Sequence, residues 1–250
     1  MVDPKVRSDL SPFLIHLTRK TDSGVALENL ASMLGDQRIK AQSVQNLFMH
    51  EPRRLGFSDL LTKKFRSVSF TEIPLEQIRV VTDPSIARDV KLEPCGLVFA
   101  SDFVRRQGAG RVNYVDARSD AGVRDMMLAD FRKAFRTIKF YRDFARKHHD
   151  ADARIANYVR TDTVTVKRDF QWEREWRLVG DLTFQFTDLI AIICPQPDRL
   201  RRIAKKSMNS TDLAMLDATL HIDADWTLSD MVQEMSIRQW ATAIEQGALF

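Results

Sequence analysis

Apolar and polar positions change period several times along the chain, and each change marks an element. PFLIHLT (12–18) is a short strand-like run with a histidine and a threonine inside it. VALENLASML (25–34) switches to helical spacing, with Val25, Leu27, Leu30, Met33 and Leu34 on one face. Asp22 or Ser23 is the expected cap and Gly35 the expected stop. A less regular stretch runs to about residue 63. FRSVSFTEIPL then reads as a strand that ends at a turn near Pro74, with a short helix starting over Ile73–Gln77. Residues 79–94 carry mixed charge and two prolines and read as a loop or an ill-formed helix. CGLVFA (95–100) is a compact buried strand. SDFVRRQG supplies one or two helical turns, with Ser101 as cap and Gly108 as stop, and RVNYVD (111–116) is a further strand.

The clearest periodicity lies at 120–149. Val123, Met126, Met127, Phe131, Ala134, Phe135, Ile138, Tyr141, Phe144 and Ala145 recur three or four apart, which predicts one long helix. Its aromatics read as core, and His148 and His149 suit the negative end of the helix dipole. Beyond it TVTVKRDFQWEREWRLVG (163–180) reads as extended, followed by strands near LTFQF and DLIAIICP. PDRLRRIAKKSM (197–208) is a basic helix with proline near its start. The tail offers a strand at LHIDA and a helix capped by Ser229. This order of elements predicts an α+β fold. Residues 1–210 are expected to form one domain, with 211–250 as an extension packed on it.

QWEREWRLVG (171–180) poses a problem of its own. In a strand, residues two apart share a face. That sets Glu173, Glu175 and Arg177 on one side and Trp172, Trp176 and Leu178 on the other. Neighbouring carboxylates on one face repel each other. One reading is a surface ladder in which Arg174 and Arg177 pair with them, worth under about 1 kcal/mol. The other is a site.

Composition narrows the choice. Hydrophobic content of 44% with 29% charged residues is that of a globular chain, and no apolar run is long enough to span a bilayer. No secretory signal is visible at the N-terminus and two cysteines make no disulfide framework, so a cytoplasmic protein with no membrane partner is expected. Cys95 and Cys194 lie in apolar contexts and read as buried reduced thiols. No His/Cys/Asp/Glu cluster has metal-ligand spacing, so no metal is expected, and no nuclease motif is visible. A net charge of +4 permits a nucleotide or nucleic-acid partner without demanding one.

Three strands carry polar residues where apolar ones would be cheaper: His16 and Thr18 in the first, Ser67, Ser69 and Thr71 in the second, Glu173 and Glu175 in the third. In that order, HLT (16–18), SFT (69–71) and ERE (173–175) resemble the ADP-ribosyltransferase superfamily. The opening LIHLT with its following helix is similar to DarT-type DNA ADP-ribosyltransferases. The wider pattern IHLT…SFTEIPL…CGLVFASDFV…VNYV…EREWR is more specifically similar to AbiGi-like abortive phage resistance proteins. The resemblance covers roughly residues 12–195.

That resemblance implies split mixed and antiparallel sheets with flanking helices, one of them long and central. It also implies NAD as substrate, cleaved between nicotinamide and ribose through an oxocarbenium-like transition state. Glu175 would be the carboxylate that stabilises the cation, and Glu173 would orient or deprotonate the acceptor. His16 would hold a ribose hydroxyl, and Thr18 would support the strand or touch the cofactor. Ser69 and Thr71 would line the site and orient the glutamate, and His16 and Glu175 would meet across a pocket. Phe70 or Tyr114 would stack on nicotinamide, while Arg19, Lys20 and Arg177 are available for the pyrophosphate. The implied partners are a protein or nucleic-acid acceptor and a co-encoded toxin or antitoxin of an abortive infection system. A histidine in place of the arginine usual in E-x-E enzymes leaves the acceptor open. It also leaves open a quiet binding module that turns nothing over.

Overall fold

The computed structural model describes residues 11–21, 24–85, 91–116, 119–164 and 171–245. In chain order the strands are β1 (Phe13–Leu17), β2 (Arg38–Ile39), β3 (Ser67–Thr71), β4 (Gly96–Ala100), β5 (Gly110–Arg111), β6 (Asn113–Asp116), β7 (Thr161–Val164), β8 (Glu175–Val179), β9 (Leu182–Thr183), β10 (Leu189–Ile193) and β11 (His221–Ile222). The fold is mixed α+β, mostly antiparallel, with flanking helices. Two units interleave in sequence. One gathers Met1–Asp36, Ile73–Phe99 and Gln185–Phe250, the other Gln37–Glu72 and Ala100–Phe184.

The first unit carries strands in the order β11-β10-β4-β1. β10 runs antiparallel to β4 with an irregularity between Leu189 and Ala191, and parallel to β11. β1 lies so close to the start of β4 that a Cβ on Gly96 would sit 2.4 Å from the His16 carbonyl oxygen. Only glycine fits there. Ile15, Leu17, Ile78, Val81, Val98, Ile193, Ile222 and Met231 form the apolar cluster of this unit. Cys95 and Cys194 are both buried free thiols, and burial pushes Cys95 up to about 12. Helix Ala26–Asp36 packs on helix Pro197–Ala204.

The second unit carries β3-β8-β5. β8 pairs antiparallel with β3 along its whole length and with β5 over two residues, while β6 and β7 are parallel. Its core is aromatic. Phe48 stacks on Phe131 at 4.6 Å between ring centroids, Phe135 on Phe144 at 4.4 Å, and Phe57, Phe65 and Tyr158 fill the gaps. Such pairs add about 0.5–1.5 kcal/mol each beyond burial.

That cluster explains the main departure from expectation. The run at 120–149 is two helices, Ala121–Phe135 and Tyr141–Lys147, not one. Bending the chain at 136–140 brings Phe131, Phe135, Ile138 and Phe144 onto one core. The bend is fixed from outside: the Lys139 carbonyl accepts from the Ser58 N–H at 2.9 Å, and its ammonium donates to the Leu55 carbonyl. RVNYVD likewise splits, β5 going to β8 and β6 to β7. LTFQF keeps only two strand residues before a 3-10 turn at Phe186–Asp188.

Several caps also move. Helix Ala26–Asp36 runs through Gly35, and Gln37 takes the left-handed φ of 44° instead. Of its two proposed caps, Asp22 and Ser23, both lie outside the described residues. Ser101 is the first residue of its helix, after an Ala100 cap, while Gly108 follows its end with φ of 95° as expected. Thr227, not Ser229, caps the last helix, its hydroxyl accepting from the Asp230 N–H. The irregular stretch before residue 63 holds helices Glu51–Leu55 and Asp59–Lys63, and helices Ala151–Val159 and Ser210–Ala218 were not anticipated. No helix of the described residues is long and apolar enough to cross a membrane.

Candidate functional site

β8 starts later than the alternation of QWEREWRLVG suggests. Gln171–Glu173 form a 3-10 turn, and Arg174 takes a left-handed φ of 49°. The Glu173 carbonyl accepts from the Thr71 hydroxyl at 2.6 Å and from the Glu72 N–H at 3.3 Å, which ties the turn to the end of β3. Glu173 is therefore buried in the turn and does not share a strand face with Glu175. Trp172 leaves the expected apolar face and stands exposed. From Glu175 onward the alternation holds, with Glu175 and Arg177 on one face and Trp176 and Leu178 buried on the other.

Arg177 is the centre of the site. Its side chain is only 2% exposed, and among the described residues its guanidinium donates to Glu175, Asp162 and the Val159 carbonyl. Nε donates to Glu175 Oε1 at 2.8 Å and Nη2 to Glu175 Oε2 at 2.9 Å. Nη2 also donates to Asp162 Oδ2 at 2.6 Å, and Nη1 to the Val159 carbonyl at 2.9 Å. The parallel register of β6 and β7 sets Tyr114 opposite Asp162, and the Tyr114 hydroxyl donates to Glu175 Oε2 at 3.0 Å. One guanidinium thus fixes two carboxylates from different strands, and a phenol closes the set.

The charges follow from that geometry. Burial works against the Arg177 charge, but Glu175 and Asp162 outweigh it and hold the guanidinium more firmly protonated than usual. Burial first, then the Glu175 charge, pushes the Tyr114 phenol well above its ordinary range, so it stays a donor. The carboxylates are less buried than the cation: Glu175 keeps 21% of its side-chain surface exposed and Asp162 14%.

The other expected site residues are distributed as follows. His16 and Thr18 lie at the end of β1 in the first unit, where the Thr18 hydroxyl reaches the carbonyls of Cys95 and Ala26 at 3.1 and 3.2 Å. Thr18 is buried and supports the strand. Ser69 faces Arg177 across the β3–β8 ladder and Phe70 faces Trp176. Phe70 is 2% exposed and presents no open ring face for stacking. Arg177, expected among the pyrophosphate candidates, is enclosed by its carboxylates instead.

Two residues escaped the sequence reading. Glu72, read as part of a strand-ending turn, is buried and accepts from the Trp176 indole N–H at 3.2 Å and from Arg111 at 3.0 Å. Asp162 sits in a β-branched run, TDTV; its one signal was an acid in an otherwise strand-like stretch. Among the described residues no group of three or more His, Cys, Asp or Glu side chains is placed to hold a metal ion. Compared with known proteins, the chain matches no family model, no curated protein and no solved structure.

Proposed function

We propose that the chain is an NAD-consuming ADP-ribosyltransferase-like protein of abortive phage defence, with Glu175 as its catalytic carboxylate. The observation that supports this is the sense of the Glu175–Arg177 pair: the cation is buried and the acid is the partly exposed member. A carboxylate that stabilises an oxocarbenium-like sugar must be fixed before the charge develops. Arg177 fixes Glu175 through both oxygens, and Asp162 and Val159 fix Arg177 in turn. Glu175 Oε1 accepts one hydrogen bond among the described residues and Oε2 two. A carboxylate has about four acceptor positions, so one on Oε1 is left for a ribose hydroxyl. As the nicotinamide–ribose bond breaks, its electron pair leaves with nicotinamide and the negative oxygen faces the sugar cation. Glu173, buried in its turn, is assigned no base role.

A second reading rests on the same contacts. Three of the four acceptor positions are already filled, which suits a quiet module that holds a nucleotide or a co-encoded partner. One experiment separates the two. Purified protein is incubated with cell extract and NAD labelled in its adenylate half. Label in protein, DNA or RNA, lost with Glu175→Gln at unchanged folding, supports the transferase. No transfer and no free ADP-ribose with any acceptor class supports the module.

A further inference from the structure

Arg160 closes helix Ala151–Val159 beside the catalytic strand, and its position is unusual for a charged group. Its guanidinium donates to the Arg177 carbonyl at 3.4 Å and to the Gly108 carbonyl. Those are its only partners among the described residues, and neither is an acid. Burial alone acts on its charge, lowering its pKa. An arginine kept partly out of water with no counter-charge is a net cost.

The loop beneath it is shaped for this arrangement. A Cβ on Gly110 would lie 2.7 Å from Arg160 Nη1 and 2.8 Å from Cζ, so the guanidinium rests against the bare glycine and a side chain there would push it aside. Gly108, at φ of 95°, is exposed, and a Cβ there would meet nothing within 4 Å. The N–H groups of Gly108 and Ala109 already bond to the Arg105 and Val104 carbonyls, so Arg160 must supply the donors. A guanidinium has five N–H groups and two are engaged. Exposed Arg105, Arg106 and Arg111 flank the same loop. Arg111 pairs with Glu72 at 3.0 Å, Arg105 meets Asp102 only at 3.8 Å, and Arg106 has no acidic partner among the described residues.

We propose that Arg160 and the Gly108–Gly110 loop form a binding site for a phosphate-bearing anion, with Arg106 adding to its positive field. Planar forked donors match phosphate oxygens, and an open glycine lets the ligand approach the backbone. The site does not depend on the NAD reading, although a diphosphate is the group that reading would need to hold.

ADP and inorganic pyrophosphate serve as probes, titrated calorimetrically into the full chain. Wild type is expected to bind ADP, more weakly as salt rises, and Arg160→Gln to bind it about 10- to 100-fold more weakly. Binding of pyrophosphate equal to ADP identifies a site for phosphate alone; tighter ADP identifies a nucleotide site. Arg160→Lys, which keeps the charge, should retain part of the affinity. Gly110→Ala, which pushes the guanidinium aside without removing it, should weaken binding even if Arg160→Gln folds poorly. No binding of either probe by wild type, or equal binding by wild type and Gly110→Ala, overturns the proposal. Nicotinamide release is read on the same proteins. Release without Arg160-dependent binding removes this site and leaves the NAD reading; Arg160-dependent binding without release does the reverse.

Discussion

Glu51 and Arg132 meet through two hydrogen bonds of 2.8 and 2.7 Å, and Glu175 and Arg177 through two of 2.8 and 2.9 Å, yet the charges are buried in opposite order. In the first pair the acid is inside, with 6% of its side chain exposed, and the arginine reaches in from the surface at 40%. Glu72 and Arg111 follow that plan, at 6% and 53%. In the second pair the arginine is inside at 2% and the acid is the more exposed member at 21%. An inward acid with a surface arginine staples elements together. A buried arginine with partly exposed carboxylates leaves the acid, not the base, as the member a ligand can reach. The difference is why Glu175, rather than Glu51 or Glu72, is assigned the chemistry.

The largest expected effect breaks the second pair from within. Arg177→Met leaves Glu175 and Asp162 facing each other without their cation and should cost about 3–5 kcal/mol, read by urea denaturation. Arg132→Met leaves the buried Glu51 carboxylate with Arg54 at 3.8 Å and should cost less, about 1–3 kcal/mol, because only one acid loses its main partner. The Arg132 hydrogen bond holds the Glu51 pKa below its ordinary 4.5. Its contribution to stability is therefore present above that value and is lost as pH falls through the lowered folded value. Arg132→Met should flatten that part of the stability–pH curve, which melts at a series of pH values would measure. Tyr114→Phe removes one donor from Glu175 and should cost about 1 kcal/mol. If the remaining acceptor positions of Glu175 take a ligand hydroxyl, this variant opens one more and should not weaken NAD binding, as isothermal titration would read.

Much of this arrangement was legible in the sequence, but not all for the reason given. Glu175 and Arg177 fall on one face because strand alternation fixes it, and that holds from Glu175 onward. Glu173 broke the pattern because Thr71 and Glu72 draw its carbonyl into a turn, a contact between residues about a hundred apart that period cannot show. The long helix failed for a similar reason: periodicity records that Phe131, Phe135 and Phe144 are buried, not that the chain bends to bury them together. Glu72 and Asp162 were hidden because a buried acid and a solvated one look alike until the arginine is found. Arg160 gave no local signal; what marks it is the lack of an acidic partner among the described residues, which no stretch of sequence displays.

The most direct measurement is nicotinamide release from NAD by purified wild type and by Glu175→Gln, with melting profiles matched. Wild type is expected to release nicotinamide, and the variant to do so about 10²–10³-fold more slowly. Equal release by both proteins, or none by either, would contradict the assignment of Glu175.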